Sequence, residues 1–130
     1  MSKETVLIVE DSEANRLAIA QGIKKLGFEV LTSVDGKAAW DLLSRPETNV
    51  DAVLSDIMMP NMDGIELLKL VRGSLKYGVI PFFLITAVAE KEYMIAAKEA
   101  GVSGYFMKPI SFQRLQDKLN EIFNPKGMVG

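Results

Sequence analysis

The chain has 130 residues, of which 48% are hydrophobic and 25% are charged, with 15 Lys plus Arg against 17 Asp plus Glu. This is the composition of one ordinary globular domain, and a net charge of -2 offers no positive surface of the kind that binds nucleic acid. The absence of Cys and His excludes disulfides, thiolate metal sites and histidine bases. No apolar run approaches the ~20 residues that cross a bilayer, and none suits a secretory signal, so we expect a soluble, cytoplasmic protein that does not bind membranes.

Short apolar runs of strand length recur along the chain. Their nearly continuous apolar residues are typical of strands that are covered on both faces, as in a parallel sheet. The runs are 6–9, 30–31, 52–54, 82–85 and 105–107.

Segments of helical period follow each run. Gly27 and Gly101 are expected to end the first and fourth helices, while Asp63 and Ser111 are expected to cap the starts of the third and fifth. The apolar stripes are Ile19, Ile23 and Leu26; Ala39, Leu42 and Leu43; Ile65, Leu68 and Val71; Tyr93, Ala96, Ala97 and Ala100; and Leu115, Leu119, Ile122 and Phe123. A strand followed by a helix, five times over, predicts an α/β fold: a parallel sheet with helices on both faces. We expect one domain at residues 1–124 and a flexible tail at 125–130.

Side chains that can carry chemistry follow four of the five runs. Glu10 and Asp11 come after the first run, Asp56 after the third, Thr86 after the fourth and Lys108 after the fifth. Because ligands of open α/β sheets bind outside the carboxyl ends of the strands, we expect these five residues to converge. Each alone has an ordinary interpretation, such as a turn former or a helix cap, so it is the joint placement that indicates a site.

The residue types at this edge suit phosphoryl chemistry. Neighbouring carboxylates repel one another, so a cation should lie among them, and Mg²⁺ prefers carboxylate, water and phosphate oxygens. With Lys108 as a fixed positive charge and Thr86 as a hydroxyl, the site suits a phosphoryl group. Asp56 is then the candidate nucleophile, which would form an acyl phosphate.

Nearly the whole chain resembles the receiver domain of two-component response regulators, and within that family the single-domain chemotaxis regulators. The likeness runs from VLIVED through MPNMDGIELLKLVR, ITA and AGVSGYFMKPI to KLNEIF. The spacing of the acidic pair, the acceptor acid, Thr-Ala and Lys-Pro carries it. The resemblance implies a doubly wound, flavodoxin-like (βα)5 fold with strand order 2-1-3-4-5. It also implies a phosphorelay switch that receives its phosphoryl group from a sensor histidine kinase or a phosphotransfer protein.

The resemblance assigns the metal and acceptor roles residue by residue. Glu10, Asp11, Asp56 and the main-chain carbonyl of Met58 would bind Mg²⁺ or Mn²⁺, and Asp56 would accept the phosphoryl group. Such a protein catalyses only its own phosphorylation and dephosphorylation.

The resemblance also implies how the signal would leave the site. Thr86, Ala87 and Lys108 would bind the phosphoryl oxygens, and Tyr105 would move inward as Thr86 shifts. A downstream protein target would bind the face made by the fourth helix, the fifth strand and the fifth helix, without direct nucleic-acid binding. Family members usually hold the peptide bond before Pro109 in cis.

Three positions depart from the commonest family pattern. Glu10 stands where Asp is more frequent, a change that should keep metal binding but lengthen the reach. Met58 and Val88 are apolar where the chemotaxis regulator has an amide and an acid, and these positions influence water access to the acyl phosphate. We expect neither side chain to orient an attacking water, and hence a long-lived phosphorylated form.

Three other functions fit the residues less well. A haloacid-dehalogenase-type phosphatase needs a second acid two residues after its nucleophile, where Met58 stands. A flavodoxin-like FMN binder cradles a phosphate in its first loop, which Glu10, Asp11 and Glu13 would repel. A pseudo-receiver, acting only as an interaction module, would lack one of the five site residues, and none is missing.

Overall fold

Strands and helices alternate five times in residues 3–87 and 90–123, the part of the chain described by this computed structural model. The elements are β1 (Thr5–Val9), α1 (Glu13–Lys25), β2 (Glu29–Ser33), α2 (Gly36–Leu43), β3 (Ala52–Asp56), α3 (Gly64–Arg72), β4 (Phe82–Thr86), α4 (Lys91–Glu99), β5 (Gly104–Met107) and α5 (Phe112–Phe123). No helix in these two ranges is both long and apolar enough to cross a membrane.

All neighbouring strands pair in parallel, in the order β2-β1-β3-β4-β5. The predicted fold class is therefore confirmed. The chain leaves β1 to one side for β2 and returns to the other side for β3, so the winding reverses between β1 and β3. The carboxyl ends of those two strands flank the crevice where such sheets bind ligands.

The central strands are buried on both faces, as their apolar runs predict. Every residue of β3 and β4 is buried, and successive residues point into separate cores on opposite faces of the sheet. Phe82 packs in one core with Leu68 of α3, and Phe83 packs in the other with Leu115 of α5. This double covering holds the ends of β3 and β4 rigidly at the sheet edge.

Local signals fix the helix ends. Asp63 and Glu66 form a reciprocal capping box at the start of α3, and the Ser111 hydroxyl accepts from the amide of Arg114 at 3.3 Å in α5. Gly27 and Gly101 follow α1 and α4 with φ of 102° and 91°, a region that favours glycine. The predicted caps and helix ends are confirmed.

All five strands are longer than the apolar runs that predict them, and β2 and β3 exceed their runs by the most. β2 extends over Glu29–Ser33 rather than 30–31, and β3 continues to Asp56 rather than stopping at 54. The polar residues of β2 and β3 are in strand conformation because their backbones pair with β1 and β4, respectively. The apolar pattern of the sequence does not reveal this pairing. The predicted tail at 125–130 lies outside the described residues.

Candidate functional site

Four of the five predicted site residues lie at the carboxyl ends of adjacent strands. Glu10 follows β1, Asp56 ends β3, Thr86 ends β4 and Lys108 follows β5. Glu10, Asp56 and Thr86 are at most 7% exposed, whereas Asp11, beside Glu10, is exposed to solvent. The edge therefore combines buried polar groups with an acid that faces water.

Lys108 links the two buried carboxylates. Its Nζ lies 2.8 Å from Oε1 of Glu10 and 2.8 Å from Oδ2 of Asp56. Partial burial alone would lower the pKa of Lys108, but hydrogen bonds to Asp56 and Glu10, together with their charges, outweigh it and raise the pKa. The ammonium is thus a fixed positive charge against the proposed phosphoryl acceptor.

Backbone amides orient both carboxylates. The second oxygen of Asp56, Oδ1, accepts from the amide of Ile57 at 2.8 Å, and Oε2 of Glu10 accepts from the amide of Ser12 at 3.0 Å. Each carboxylate therefore accepts a main-chain hydrogen bond with one oxygen and contacts the Lys108 ammonium with the other. The guanidinium of Arg16 donates to the carbonyl of Glu10 at 3.0 Å and braces the turn that carries the acidic pair.

The carboxylates are close enough to share a divalent cation. One oxygen from each of Glu10, Asp11 and Asp56 lies within 4.8 Å of the other two. Oxygens about 2.1 Å from Mg²⁺ lie about 3–4 Å apart, so small side-chain shifts would close these three around the ion. The donor set, which is all oxygen, fits Mg²⁺ or Mn²⁺.

Thr86 and Tyr105 occupy neighbouring strands beside this cluster. Burial raises the pKa of Tyr105, and the nearby Thr86 side chain offsets part of that rise. The Tyr105 hydroxyl is buried and makes no hydrogen bond of ordinary geometry within the described residues. The ring therefore already points inward in this conformation. Ala87 is exposed, and Val88 lies outside the described residues.

Sequence reasoning missed residues that support the site from a distance. Arg16 resembles any charged residue in the first turns of a helix, and only the fold reveals its bond to Glu10. Asn61 follows Pro60 in the loop after β3, where its φ of 69° and its hydrogen bond to Asp35 fix the loop. The Asn after Pro60 was the one available signal, since Asn tolerates the left-handed region better than most residues.

The peptide bond between Lys108 and Pro109 is cis, as the family resemblance implies. The Lys108 amide donates to the carbonyl of Thr86 at 2.8 Å, which ties the end of β5 to the end of β4. The residue that carries the ammonium is therefore fixed through its own main chain.

Comparison with known proteins agrees with this geometry. Residues 6–120 match the family described as the response regulator receiver domain, and the chain belongs to that family. It is thus a signalling protein of the phosphorylation-dependent two-component type and not a conventional enzyme.

Its relatives include chemotaxis regulators. A chemotaxis protein CheY homologue of Campylobacter jejuni is 38% identical over 118 residues, which cover 90% of each chain. The structure of CheY4 of Vibrio cholerae superposes with a TM-score of 0.83 at 30% identity, covering 93% of this chain and 99% of that one. A CheY-like receiver domain protein of Methanospirillum hungatei gives 0.85 at 26% identity, covering 99% and 100%.

Proposed function

We propose that residues 1–124 act as a switch in which Asp56 accepts a phosphoryl group from a histidine of a partner kinase or phosphotransfer protein. The observation that carries this proposal is the Lys108 ammonium held 2.8 Å from a buried Asp56 carboxylate at the switch point of the sheet. In the reaction an Asp56 oxygen bonds to phosphorus, the phosphorus–nitrogen bond to the partner's histidine breaks, and the imidazole leaves with a proton.

Glu10, Asp11, Asp56 and the carbonyl of Met58 would hold Mg²⁺, which when bound neutralises charge on the phosphoryl oxygens. Lys108 supports the same step from the protein side. Its ammonium already contacts Asp56, so it can pair with an oxygen of the group that Asp56 accepts. The buried cluster also keeps bulk water away from the acceptor, which slows loss of the acyl phosphate.

The proposed switch passes from Thr86 to the output face. The Thr86 hydroxyl, with the Ala87 main chain, would bind a phosphoryl oxygen, and Tyr105 would fill the space that Thr86 leaves. Tyr105 is well placed for this because its buried hydroxyl lies near Thr86. Its inward position in this conformation means that phosphorylation would stabilise an arrangement already accessible to the ring.

A protein target would then bind the surface of α4, β5 and α5. Exposed apolar side chains on α4 and β5 support this choice: Met94 is 45% exposed and Met107 44%. Exposed apolar side chains favour contacts with other proteins. Met107 belongs to β5, the edge strand that also carries Tyr105.

Intact-mass measurement after incubation with acetyl phosphate and Mg²⁺ tests the proposed function. We expect the wild-type chain to gain the mass of one phosphoryl group and Asp56→Asn to gain none, because the amide is a poor nucleophile. Asp41→Asn, which changes an exposed acid of α2, is the matched control and should still gain the group. A wild-type chain without the adduct would favour a pure interaction module, and an adduct retained in Asp56→Asn would place the acceptor elsewhere.

We also predict a long-lived phosphorylated form, because the side chains at positions 58 and 88 are apolar. Met58 is 56% exposed and offers no group that could orient an attacking water beside Asp56. The double variant Met58→Asn, Val88→Glu is expected to lose the phosphoryl group at least about tenfold faster. Loss of the mass adduct over time, after acetyl phosphate has been removed, measures this. Equal rates in the two proteins would contradict the role of these positions.

A further inference from the structure

The loop between β3 and α3, residues 57–63, is tied to the start of α2 by two hydrogen bonds between segments far apart in sequence. The Asn61 side-chain amide donates to Oδ2 of Asp35 at 2.7 Å, and the amide of Gly36 donates to the carbonyl of Met62 at 3.1 Å. Asp35 is buried, and its other oxygen caps α2. One carboxylate thus joins the helix to the loop.

Asp35 is held in its ionised form. Its bond from the amide of Ala38, followed by the bond from Asn61, lowers the pKa of its carboxyl group. Hydrogen bonds to a carboxylate are stronger and shorter than neutral ones, in line with the distances of 2.7 and 2.8 Å to these two donors. The link between the two loops is therefore a charge-assisted hydrogen bond from an exposed side chain to a buried carboxylate.

The loop has an unusual backbone at the point where it is held. Asn61 has a φ of 69°, and the amide of Met62 bonds to the carbonyl of Pro60 at 2.7 Å, which makes a tight turn centred on Asn61. Such strained conformations persist only where the surroundings impose them. Gly36 lets α2 come close enough, since a Cβ there would lie 2.5 Å from the carbonyl oxygen of Met62.

Fixing Asn61 restricts the main chain of Met58. Ile57, on one side, is held by its bonds to the end of β4 and to the first residue of α3. On the other side, Pro60 has a fixed φ and confines the residue before it to extended conformations. The Met58 carbonyl therefore lies between Ile57, which is held by two backbone hydrogen bonds, and the conformationally restricted segment 59–61, which ends at Asn61.

We propose that Asp35 and Asn61 are positioning residues for the cation site, and that their hydrogen bond holds the Met58 carbonyl where it can bind the ion. The inference rests on the proposed function, since it assumes that this carbonyl is a ligand. Neither residue is among the ligands. Each acts through the loop, by fixing the orientation of a ligand that it does not itself replace.

Calorimetric titration of the metal-free protein with Mg²⁺ tests the role of the pair. Asn61→Gly removes the side-chain amide and tolerates a positive φ, and Asp35→Ser keeps a helix cap but is too short to reach Asn61. Each is expected to weaken Mg²⁺ binding by about tenfold. The double variant should bind no more weakly than either single one, because both remove the same bond. Asp35→Asn keeps the cap through its side-chain oxygen, and its NH2 group can donate to the side-chain oxygen of Asn61 once the Asn61 amide turns over, so this variant should recover part of the affinity.

Tyr77→Phe is the control for a general loss of stability. It removes the 2.7 Å bond from the buried Tyr77 hydroxyl to the carbonyl of Thr48, far from the loop, and should leave Mg²⁺ affinity unchanged. Wild-type affinity in both Asn61→Gly and Asp35→Ser would overturn the inference and leave the proposed function intact. Weakening of equal size in Tyr77→Phe would also overturn it, since the effect would then be structural. A wild-type chain with neither Mg²⁺ binding nor an acetyl phosphate adduct would overturn both.

Discussion

Lys108→Met is expected to lower the free energy of unfolding of the metal-free protein by about 2–4 kcal/mol at neutral pH. The change preserves most of the side-chain volume but leaves the carboxylates of Glu10 and Asp56 together without their shared ammonium. Those side chains are only 1% and 10% exposed, so water compensates little for the lost charge. The effect stays below that of a fully buried pair because 23% of the Lys108 side chain remains in contact with solvent.

The pH dependence of this difference follows from the raised pKa of Lys108. A raised pKa in the folded state means that the charged lysine stabilises the fold fully below the ordinary lysine pKa of about 10.4. That stabilisation is lost as the pH rises through the higher, folded-state pKa. Wild type and Lys108→Met should therefore differ most near neutral pH and converge in strongly alkaline solution. Guanidinium unfolding across this range measures the difference.

Lys37→Met is the matched control for Lys108→Met. Lys37 pairs with Asp41 at 3.3 Å on the surface of α2, with both side chains more than 60% exposed. Exposed pairs of this spacing contribute about 0.3–0.5 kcal/mol, so the control should unfold almost as the wild type does. Adding Mg²⁺ should restore part of the lost stability in Lys108→Met, since a divalent cation would replace the missing charge. Equal losses in the two variants would show that Lys108 does not neutralise the cluster.

The fold could be predicted from the sequence because its determinants are local and repeated. Each apolar run and each helical stripe points to one element, and β1 to β5 can be covered on both faces in few ways. The residues at which the strands begin and end were harder to predict. Ser33 and Ser55 are strand residues because neighbouring strands supply their backbone partners, and this information lies elsewhere in the chain.

The candidate site divides in the same way. The strand-end positions of Glu10, Asp56 and Lys108 are visible as residue types at the ends of runs, so their convergence follows from a parallel sheet. The bond between Asp35 and Asn61 is not visible, because it joins two loops across 26 residues. Neither loop has a pattern that indicates the other. Hydrogen bonds between loops, which fix the exact positions of the site residues, therefore cannot be predicted from the sequence and require the structure.

Arg72 shows the same limitation at the opposite end of the sheet. It is the last residue of α3 and would be taken from the sequence for a surface charge at a helix C-terminus. Its guanidinium donates to the carbonyls of Ile80 at 2.7 Å, Gly101 at 2.9 Å and Gly78 at 3.3 Å, and to the hydroxyl of Ser103 at 3.3 Å. Desolvation lowers its pKa, yet it remains charged because arginine titrates far above neutral pH.

Arg72→Met is expected to lower the free energy of unfolding by about 1–3 kcal/mol, because the carbonyls that the guanidinium serves would lose their donors. The loss should be smaller for Arg72→Lys, because an ammonium can still donate to some of these carbonyls. It should not vanish, because a single ammonium cannot span both loops as the planar guanidinium does. Lys69→Met, one turn earlier on α3 and exposed, is the control and should stay within about 0.5 kcal/mol of wild type. Guanidinium unfolding measures all three.

Amide hydrogen exchange should locate the effect of Arg72→Met. The turn from α4 to β5, which includes Gly101 and Ser103, would exchange faster, because Arg72 joins it to the loop before β4. The buried amides of β3 and β4 should lose protection only by the amount that the whole protein loses in free energy of unfolding, and the turn should lose more. If exchange rose equally at Ile57 and at the α4–β5 turn, Arg72 would stabilise the fold as a whole. A larger increase at the turn would instead make Arg72 a local clamp on the end of α4, the helix that begins the proposed output face.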